Sequence, residues 1–220
     1  MDELLENGGM TKVRFMILQL LMKLRQICID PSIVYENYKG GSNKIDTLVN
    51  VVKESINNNH KILIFTSFKT ALNIVKEKLE KENINSYVID GSVKSEERMN
   101  RVEEFNNNPN PCVFLIMLKS GGTGLNLTSA DVVIHLDLWW NPQAENQATD
   151  RAHRIGQKNI VEVIKLITRG TIEEKILTLQ EKKKKLSDKI IDGDVRDSNI
   201  ISILTENDIK NLLSYENKDS

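Results

Sequence analysis

The chain has 220 residues, of which 40% are hydrophobic and 28% are charged, and its net charge is −1. This composition is typical of a soluble globular protein, and the length is sufficient to bury a substantial core. The small net charge excludes a positive field over the whole molecule, so any DNA contact must be made by a local patch. The sequence contains no run of about 20 apolar residues, which disfavours a membrane role.

The cysteines and histidines do not indicate a metal site. Cys28 and Cys112 lie in apolar contexts without metal-ligand spacing, and the histidines, His60, His135 and His153, are scattered. We therefore expect two buried, reduced thiols and an intracellular protein.

The first predicted element is a helix over Thr11–Ile29, which Asp30-Pro31 ends. Its apolar residues form one stripe of Met16, Leu20, Leu24 and Ile27 and another of Val13, Ile17 and Leu21. Because two apolar stripes need two partners, we expect this helix to cause self-association of the fragment. Tyr38–Asn43 reads as a linker.

From Lys61 onward, apolar runs of strand length alternate with amphipathic segments. The predicted strands are Lys61–Thr66, Ser86–Ile89, Val113–Leu118, Val132–Leu136 and Ile160–Ile167. The predicted helices are Lys44–Asn57, Lys69–Lys81, Ser95–Phe105, one that starts at Asn141-Pro142, one from Thr171 to about Ile191, and Ile200–Tyr215. This alternation predicts an α/β fold with a parallel sheet and right-handed crossovers.

A glycine-rich turn follows the third predicted strand: Ser120-Gly121-Gly122-Thr123-Gly124. Glycine permits positive φ and allows backbone N–H groups to approach an anion. Lys119 stands immediately before the turn. A lysine and several free N–H groups at one strand end predict a phosphate site.

Two arginines follow in the helix that Asn141-Pro142 starts with an N-cap side chain and a proline at the first position. Gln147, Arg151 and Arg154 are spaced i, i+4 and i+7, so we expect them on one helix face. Arginine is suited to polyphosphate because its planar fork donates two parallel hydrogen bonds. On these residues alone, the alternative is a solvated pair between Arg154 and Asp150.

Polar residues also follow the other strands. Ser67 comes after the first strand and Asp90-Gly91-Ser92 after the second, where open α/β sheets bind ligands. The alternatives are a helix N-cap for Ser67 and a simple turn at Asp90. Asp131 and Asp137 flank the fourth strand, and we expect each to order backbone or to pair with an arginine.

The strings GGTGLNL and WWNPQAENQATDRAHRIGQ, with their separation, resemble the motifs of the second lobe of Swi/Snf-type ATP-driven DNA translocases, within the superfamily 2 helicases. LRQICIDP resembles the segment ahead of that lobe, so the resemblance covers roughly Leu18–Ile191. It implies a RecA-like lobe over residues 44–170, after a helical extension and linker (1–43) and before a brace helix and helical tail (171–220). The usage of Lys, Asn and Ile favours a bacterial member, in the cytoplasm or nucleoid.

The resemblance also implies roles for individual residues. Arg151 and Arg154, with Gln147, would act on the phosphates of ATP, and Gly122 and Gly124 would lie close to the nucleotide. The implied contacts to double-stranded DNA are Ser67, Asp90, Gly91, Lys119, Ser120, Asn126 and Trp140. Trp139 is expected to pack.

Two motifs of a complete ATPase are missing from the sequence. It contains no G-x-x-x-x-G-K-[ST] loop and no Asp-Glu pair after an apolar strand. The family keeps both in its first lobe, which would hold Mg²⁺. We therefore expect the chain alone not to hydrolyse ATP and to need a first lobe as partner. The alternative is a non-catalytic scaffold or interaction domain of the same fold.

Overall fold

The computed structural model describes residues 9–118, 125–152, 160–187 and 206–213. The helices are α1 (Gly9–Ile29), α2 (Asn43–Asn57), α3 (Lys69–Lys81), α4 (Ser95–Asn107), α5 (Pro142–Thr149), α6 (Ile172–Ser187) and α7 (Glu206–Leu213). The strands are β1 (Ile62–Thr66), β2 (Ser86–Ile89), β3 (Val113–Met117), β4 (Val132–His135) and β5 (Glu162–Lys165). Within these ranges, no helix has the length and apolar character needed to cross a membrane.

The strands form one parallel sheet with the order β2-β3-β1-β4-β5. The central strand, β1, is buried at every position from Ile62 to Thr66. Such continuous apolar runs are typical of parallel sheets that are covered on both faces. The predicted α/β fold with a parallel sheet is therefore confirmed.

The two faces of the sheet are covered by different helices. Ile62 and Ile64 of β1 join a core cluster with α2 and α3, whereas Leu63 and Phe65 join a second cluster with α4 and α5. This division follows from the strand geometry, in which successive side chains point to opposite faces. The helices on both faces leave the carboxyl ends of the strands available to the connecting loops.

A third apolar cluster lies where helices from both ends of the described chain meet. It comprises Leu21, Leu138, Trp140, Ile172, Ile176, Leu179 and Leu212. Leu21 docks α1 on α6, so one predicted stripe of α1 has its partner within the chain. On the other stripe, Met16 and Leu20 remain 59% and 47% exposed, and Leu24 packs partly against the cluster.

A buried ion pair joins the predicted lobe to the predicted brace helix. The Nζ atom of Lys44, at the start of α2, lies 2.6 Å from Oε1 and from Oε2 of Glu173, in the first turn of α6. Both side chains are almost completely buried. Ser42 accepts a hydrogen bond from the Ile45 amide and donates one to the Ile29 carbonyl, which ties the end of α1 to the start of α2.

The helix α5 ends earlier than predicted. It stops at Thr149, and the amides of Arg151 and Ala152 bond to carbonyls three residues back instead of four. Threonine and aspartate have low helix propensity, and here Thr149-Asp150 closes the helix. The prediction that Gln147 and Arg151 share one helix face is therefore wrong, because Gln147 is exposed and Arg151 is buried. Arg154 lies outside the described residues.

The last strand is also shorter than the predicted Ile160–Ile167. It covers Glu162–Lys165 and forms an edge of the sheet. Ile160 is almost fully exposed, so the apolar run extends beyond the paired residues.

Candidate functional site

The carboxyl edge of the sheet carries two of the predicted contact regions. Ser67 directly follows β1 and Asp90 directly follows β2, with β3 between those strands. The Nζ atom of Lys69, in the first turn of α3, lies 2.8 Å from Oδ2 of Asp90. The structure thus brings Ser67 and the Asp90-Gly91 turn to one edge, as the order of the strands predicts.

The carboxylate of Asp90 is already occupied within the chain. Its Oδ2 pairs with Lys69, and its Oδ1 accepts hydrogen bonds from the amide and hydroxyl of Ser92. These hydrogen bonds, of which the one from Lys69 has the largest effect, hold the pKa of Asp90 far below its ordinary range. Asp90 therefore orders the turn, and the groups it leaves for a phosphate are the exposed Lys69 ammonium and the backbone at Gly91. Lys69 was not singled out from the sequence, although it lies only two positions after Ser67.

Ser67 is held by Asp137, which follows β4. Oδ1 of Asp137 accepts hydrogen bonds from the Ser67 amide at 2.9 Å and from the Thr66 hydroxyl at 2.7 Å. The N-cap position of α3 belongs to Phe68, so the alternative of Ser67 as a helix N-cap is wrong. The backbone role expected for Asp137 is confirmed. Ser67 itself is half-buried at this edge.

Asp131, immediately before β4, has the same kind of role. It accepts hydrogen bonds from the Lys61 amide at 3.1 Å and lies 2.9 Å from Nδ1 of His60. The expectation that this carboxylate orders backbone is confirmed.

A buried arginine of α1, which the sequence reasoning missed, lies behind Ser67. Arg25 is 1% exposed, and its Nη2 lies 2.6 Å from Oδ2 of Asp137, 2.6 Å from the Leu138 carbonyl and 3.2 Å from Oγ of Ser67. The guanidinium lies over three rings at 5.0 to 5.3 Å from their centroids: Phe68, Trp139 and Trp140. The sequence does contain a pattern that places Arg25 on an apolar helix face, because Arg25 lies four residues from both Leu21 and Ile29.

The two adjacent tryptophans have the opposite exposure to that expected. Trp140 is 1% exposed and belongs to the third apolar cluster, whereas Trp139 is half-buried. The packing role predicted for Trp139 is therefore taken by Trp140. Its indole fills the space between α1 and α6, so any effect of Trp140 on DNA would have to be indirect.

Arg151 lies beside the segment that follows the glycine-rich turn. The Leu127 amide donates a hydrogen bond of 3.1 Å to the Arg151 carbonyl. Arg151 is 8% exposed and has partners within the chain. The structure therefore brings Arg151 next to Leu127, three residues after Gly124, and its role in a nucleotide site stays a prediction.

Asn126 does not lie at the edge that carries Ser67. Its carbonyl accepts a hydrogen bond of 2.8 Å from the Asn106 side chain, in the last turn of α4. That turn lies at the amino ends of the strands, because Lys61, which precedes β1, donates to the Phe105 carbonyl at 2.8 Å. Asn126 is thus grouped with the Arg151 side of the lobe.

Five predicted site residues fall outside the described residues: Lys119, Ser120, Gly122, Gly124 and Arg154. Their roles stay predictions. In the part of the chain that the structure describes, no group of three His, Cys, Asp or Glu side chains could hold a metal ion.

A second buried polar group supports α5 and β4. Glu145 accepts hydrogen bonds from the Trp139 amide at 2.6 Å and the Gln180 side chain at 2.8 Å, and it pairs with Lys165 at 2.6 Å. His135 stacks on Phe65 nearby. Burial lowers the pKa of His135 below its ordinary value of 6.5, against the opposing effect of Glu145. These contacts hold the α5 helix, and with it the position of Arg151.

Comparison with known proteins identifies the family. The helicase conserved C-terminal domain model matches residues 43–156. An uncharacterized ATP-dependent helicase of Mycoplasma pneumoniae is 41% identical over 204 residues, which are 91% of this chain and 19% of that protein. The chain thus spans about a fifth of the length of this curated relative.

Two solved structures from Sulfolobus solfataricus match nearly the whole chain. The SWI2/SNF2 ATPase C-terminal domain has a TM-score of 0.69 and 33% identity, over 91% of this chain and 82% of that one. The SWI2/SNF2 ATPase core in complex with dsDNA has a TM-score of 0.71 and 35% identity, over 91% of this chain and 42% of that one. The chain therefore belongs to the helicase conserved C-terminal domain family, with the RecA-like fold of the C-terminal lobe of Swi2/Snf2-type ATPases.

Proposed function

We propose that this chain is the second lobe of a double-stranded-DNA translocase that is driven by ATP hydrolysis in a cleft shared with a first lobe. The observation that carries the proposal is the likeness, over 91% of this chain, to an ATPase core solved with dsDNA. The similarity to an ATP-dependent helicase supports ATP as the source of energy.

On the nucleotide side, Arg151 and Arg154 are proposed to bind the phosphates of ATP, with the glycine turn close to the nucleotide. The hydrogen bond between Leu127 and Arg151 supports this grouping, because it joins the segment that follows the turn to the start of the arginine segment. ATP would supply the phosphoanhydride bond, and Mg²⁺ is assigned to the first lobe. The guanidinium groups would neutralise charge on the transferring phosphoryl group. Gln147 is exposed on α5 and is proposed to face the same cleft.

On the DNA side, the carboxyl edge provides donors for phosphate oxygens. These are the Ser67 hydroxyl, the Lys69 ammonium and the backbone at Gly91, and contacts of this kind position a duplex without reading its sequence. Lys119 and Ser120 follow β3, which lies between β1 and β2, and they stay predicted contacts. Asn126 and Trp140 are left out of this surface because one lies elsewhere and the other is buried.

A translocase needs its two ligand sites to be coupled. Arg151 and the carboxyl edge that carries Ser67 belong to one packed lobe. Closure of the two lobes on ATP would therefore move this whole edge relative to the first lobe. Opening after hydrolysis would return it, and repeated cycles would advance the grip along one strand.

The test compares ATP hydrolysis by the chain alone, by a first lobe alone, and by a protein that joins the two, each with and without double-stranded DNA. We expect turnover that DNA stimulates only in the joined protein. DNA-stimulated turnover by the pure chain would contradict the assignment as a second lobe. If the rate of hydrolysis by the joined protein changes neither when DNA is added nor when Arg154→Ala is made, the scaffold alternative is favoured.

A further inference from the structure

We infer that Arg25 is a positioning residue for DNA: it fixes the Ser67 hydroxyl as a hydrogen-bond donor toward a phosphate of the duplex. The inference rests on the proposed function and deepens it, because it names what prepares the DNA edge. Arg25 belongs to α1, which precedes the predicted lobe in the sequence, and its guanidinium contacts the residues that follow β1 and β4.

The chemistry of the contact sets the direction of the hydroxyl proton. A guanidinium donates hydrogen bonds and cannot accept them, so Oγ of Ser67 must be the acceptor in its 3.2 Å contact with Nη2 of Arg25. The Ser67 amide is already committed to Asp137. In the described part of the chain, the Ser67 hydroxyl proton has no acceptor among these contacts. A phosphate oxygen at the carboxyl edge would provide one.

The hydrogen bonds of the Arg25 guanidinium all go to residues at the carboxyl edge of the sheet. The two N–H bonds of Nη2 are shared among three acceptors, Asp137 and the Leu138 carbonyl at 2.6 Å and Ser67 at 3.2 Å, all from the ends of β1 and β4. Nε and Nη1 are buried without a hydrogen-bond partner among the described residues. Aromatic rings surround the guanidinium and attract it through their faces. Its hydrogen bonding is therefore concentrated on the strand ends.

The packing of α1 alone does not require an arginine here, although the buried carboxylate of Asp137 requires a cation. Arg25 lies on the stripe of α1 that buries Leu21 and Ile29, where an apolar side chain would avoid the cost of desolvating a charge. What an apolar side chain could not do is donate to Ser67 while it neutralises Asp137. The position of α1 is thereby linked to the state of the hydroxyl that faces DNA.

The experiment uses a protein that joins this chain to a first lobe. Affinity for a fluorescent DNA duplex is measured by anisotropy, and the melting midpoint is measured in parallel, for Arg25→Gln, Ser67→Ala and the double variant. Lys44→Gln is the matched control, because it also removes a buried cation, but Lys44 pairs with Glu173 and not with Ser67 or Asp137. We expect each edge variant to weaken DNA binding by about tenfold, as for a hydrogen bond to a charged group.

The double variant separates positioning from a second, independent contact. If Arg25 acts through Ser67, the double variant should be weaker than either single variant by no more than about twofold. Lys44→Gln should lower the melting midpoint as Arg25→Gln does, with DNA affinity unchanged. Arg25→Lys tests the case in which Arg25→Gln fails to fold, because lysine keeps the charge but not the planar fork. It should also weaken DNA binding.

Two results would overturn the inference in different ways. If Ser67→Ala weakens DNA binding while Arg25→Gln or a folded Arg25→Lys binds as the parent does, Arg25 only stabilises the fold. If Ser67→Ala has no effect on DNA affinity, the proposed DNA edge is wrong and the positioning role falls with it.

Discussion

Lys44 and Glu173 form a buried ion pair between residues 129 positions apart, with the ammonium 2.6 Å from both carboxylate oxygens. Glu173 also accepts a hydrogen bond from the Thr168 amide. The pair therefore joins the start of α2, the end of the lobe and the first turn of α6. Removing one partner would leave the other charge buried and uncompensated.

We predict that Lys44→Met lowers the free energy of unfolding by about 3–5 kcal/mol, because a buried carboxylate loses its partner. The double variant Lys44→Met/Glu173→Leu should be less destabilised than the single one. Urea denaturation measures both. Lys53→Met is the control, since its pair with Glu82 is largely exposed and should cost about 0–1 kcal/mol. Equal losses for Lys44→Met and Lys53→Met would contradict the burial of the first pair.

The exposure of the adjacent tryptophans predicts different costs of truncation. Trp140→Ala should lower the free energy of unfolding by about 3–5 kcal/mol, because it opens a cavity in the third cluster. Trp139→Ala should lower it less, since that indole is half-buried. Thermal denaturation of both variants decides the order, and a larger loss for Trp139→Ala would reverse the assignment.

The lowered pKa of His135 predicts that the folded chain loses stability in mild acid. Its pKa in the folded chain lies below 6.5, so the folded state excludes a proton that the unfolded state binds. The contribution of His135 is complete above pH 6.5 and is lost progressively as the pH falls from there toward the folded pKa. Melting midpoints between pH 7.5 and 5.5 should therefore fall less steeply for His135→Gln than for the parent. Parallel curves would remove His135 as a cause.

Arg154→Ala, in a protein that joins this chain to a first lobe, should reduce kcat by about 10³- to 10⁵-fold, with nucleotide affinity largely kept. Arg154→Lys should not restore turnover, because a point charge does not reproduce the planar fork. Arg151→Ala should act similarly with a larger effect on binding. If Arg154 only paired with Asp150 at the surface, the cost would be at most about 1 kcal/mol of stability, and kcat would stay normal.

The exposed stripe of α1 predicts concentration-dependent association of the chain. Phe15 and Met16 are 56% and 59% exposed, and Leu20 lies on the same helix. Met16→Glu/Leu20→Glu should shift the chain toward monomer in sedimentation at several concentrations. Met99→Glu is the control, because Met99 is exposed alone on α4. A parent chain that is monomeric at all concentrations would exclude this surface as the cause.

Elements with a strong local pattern could be predicted from the sequence to the residue. The helix Lys69–Lys81 and the strand Ser86–Ile89 have the predicted bounds, since their apolar spacing and flanking turns are local. The end of α5 could not be placed, because the extended motif suggested one continuous helix. Thr149 and Asp150, weak helix formers, end it first.

The candidate site depended more on distant contacts. Asp137 could be predicted to pair with an arginine, but not with Arg25, which lies 112 positions away. The spacing of Leu21, Arg25 and Ile29 places Arg25 on the same helix face as two apolar residues, yet it does not show what surrounds the guanidinium. The difference between Trp139 and Trp140 likewise depends on α1 and α6, which no local pattern specifies.

The third apolar cluster also has a consequence for synthesis of the chain. Leu21 finds its partners on α6 only after about 150 further residues have been made, which takes roughly 8 to 30 seconds on a ribosome. During that interval both apolar stripes of α1 are uncovered. The strands β1 to β4 can pair in the meantime, so the nascent chain would carry most of the sheet with an undocked α1, and this helix is the segment that we expect a chaperone to bind.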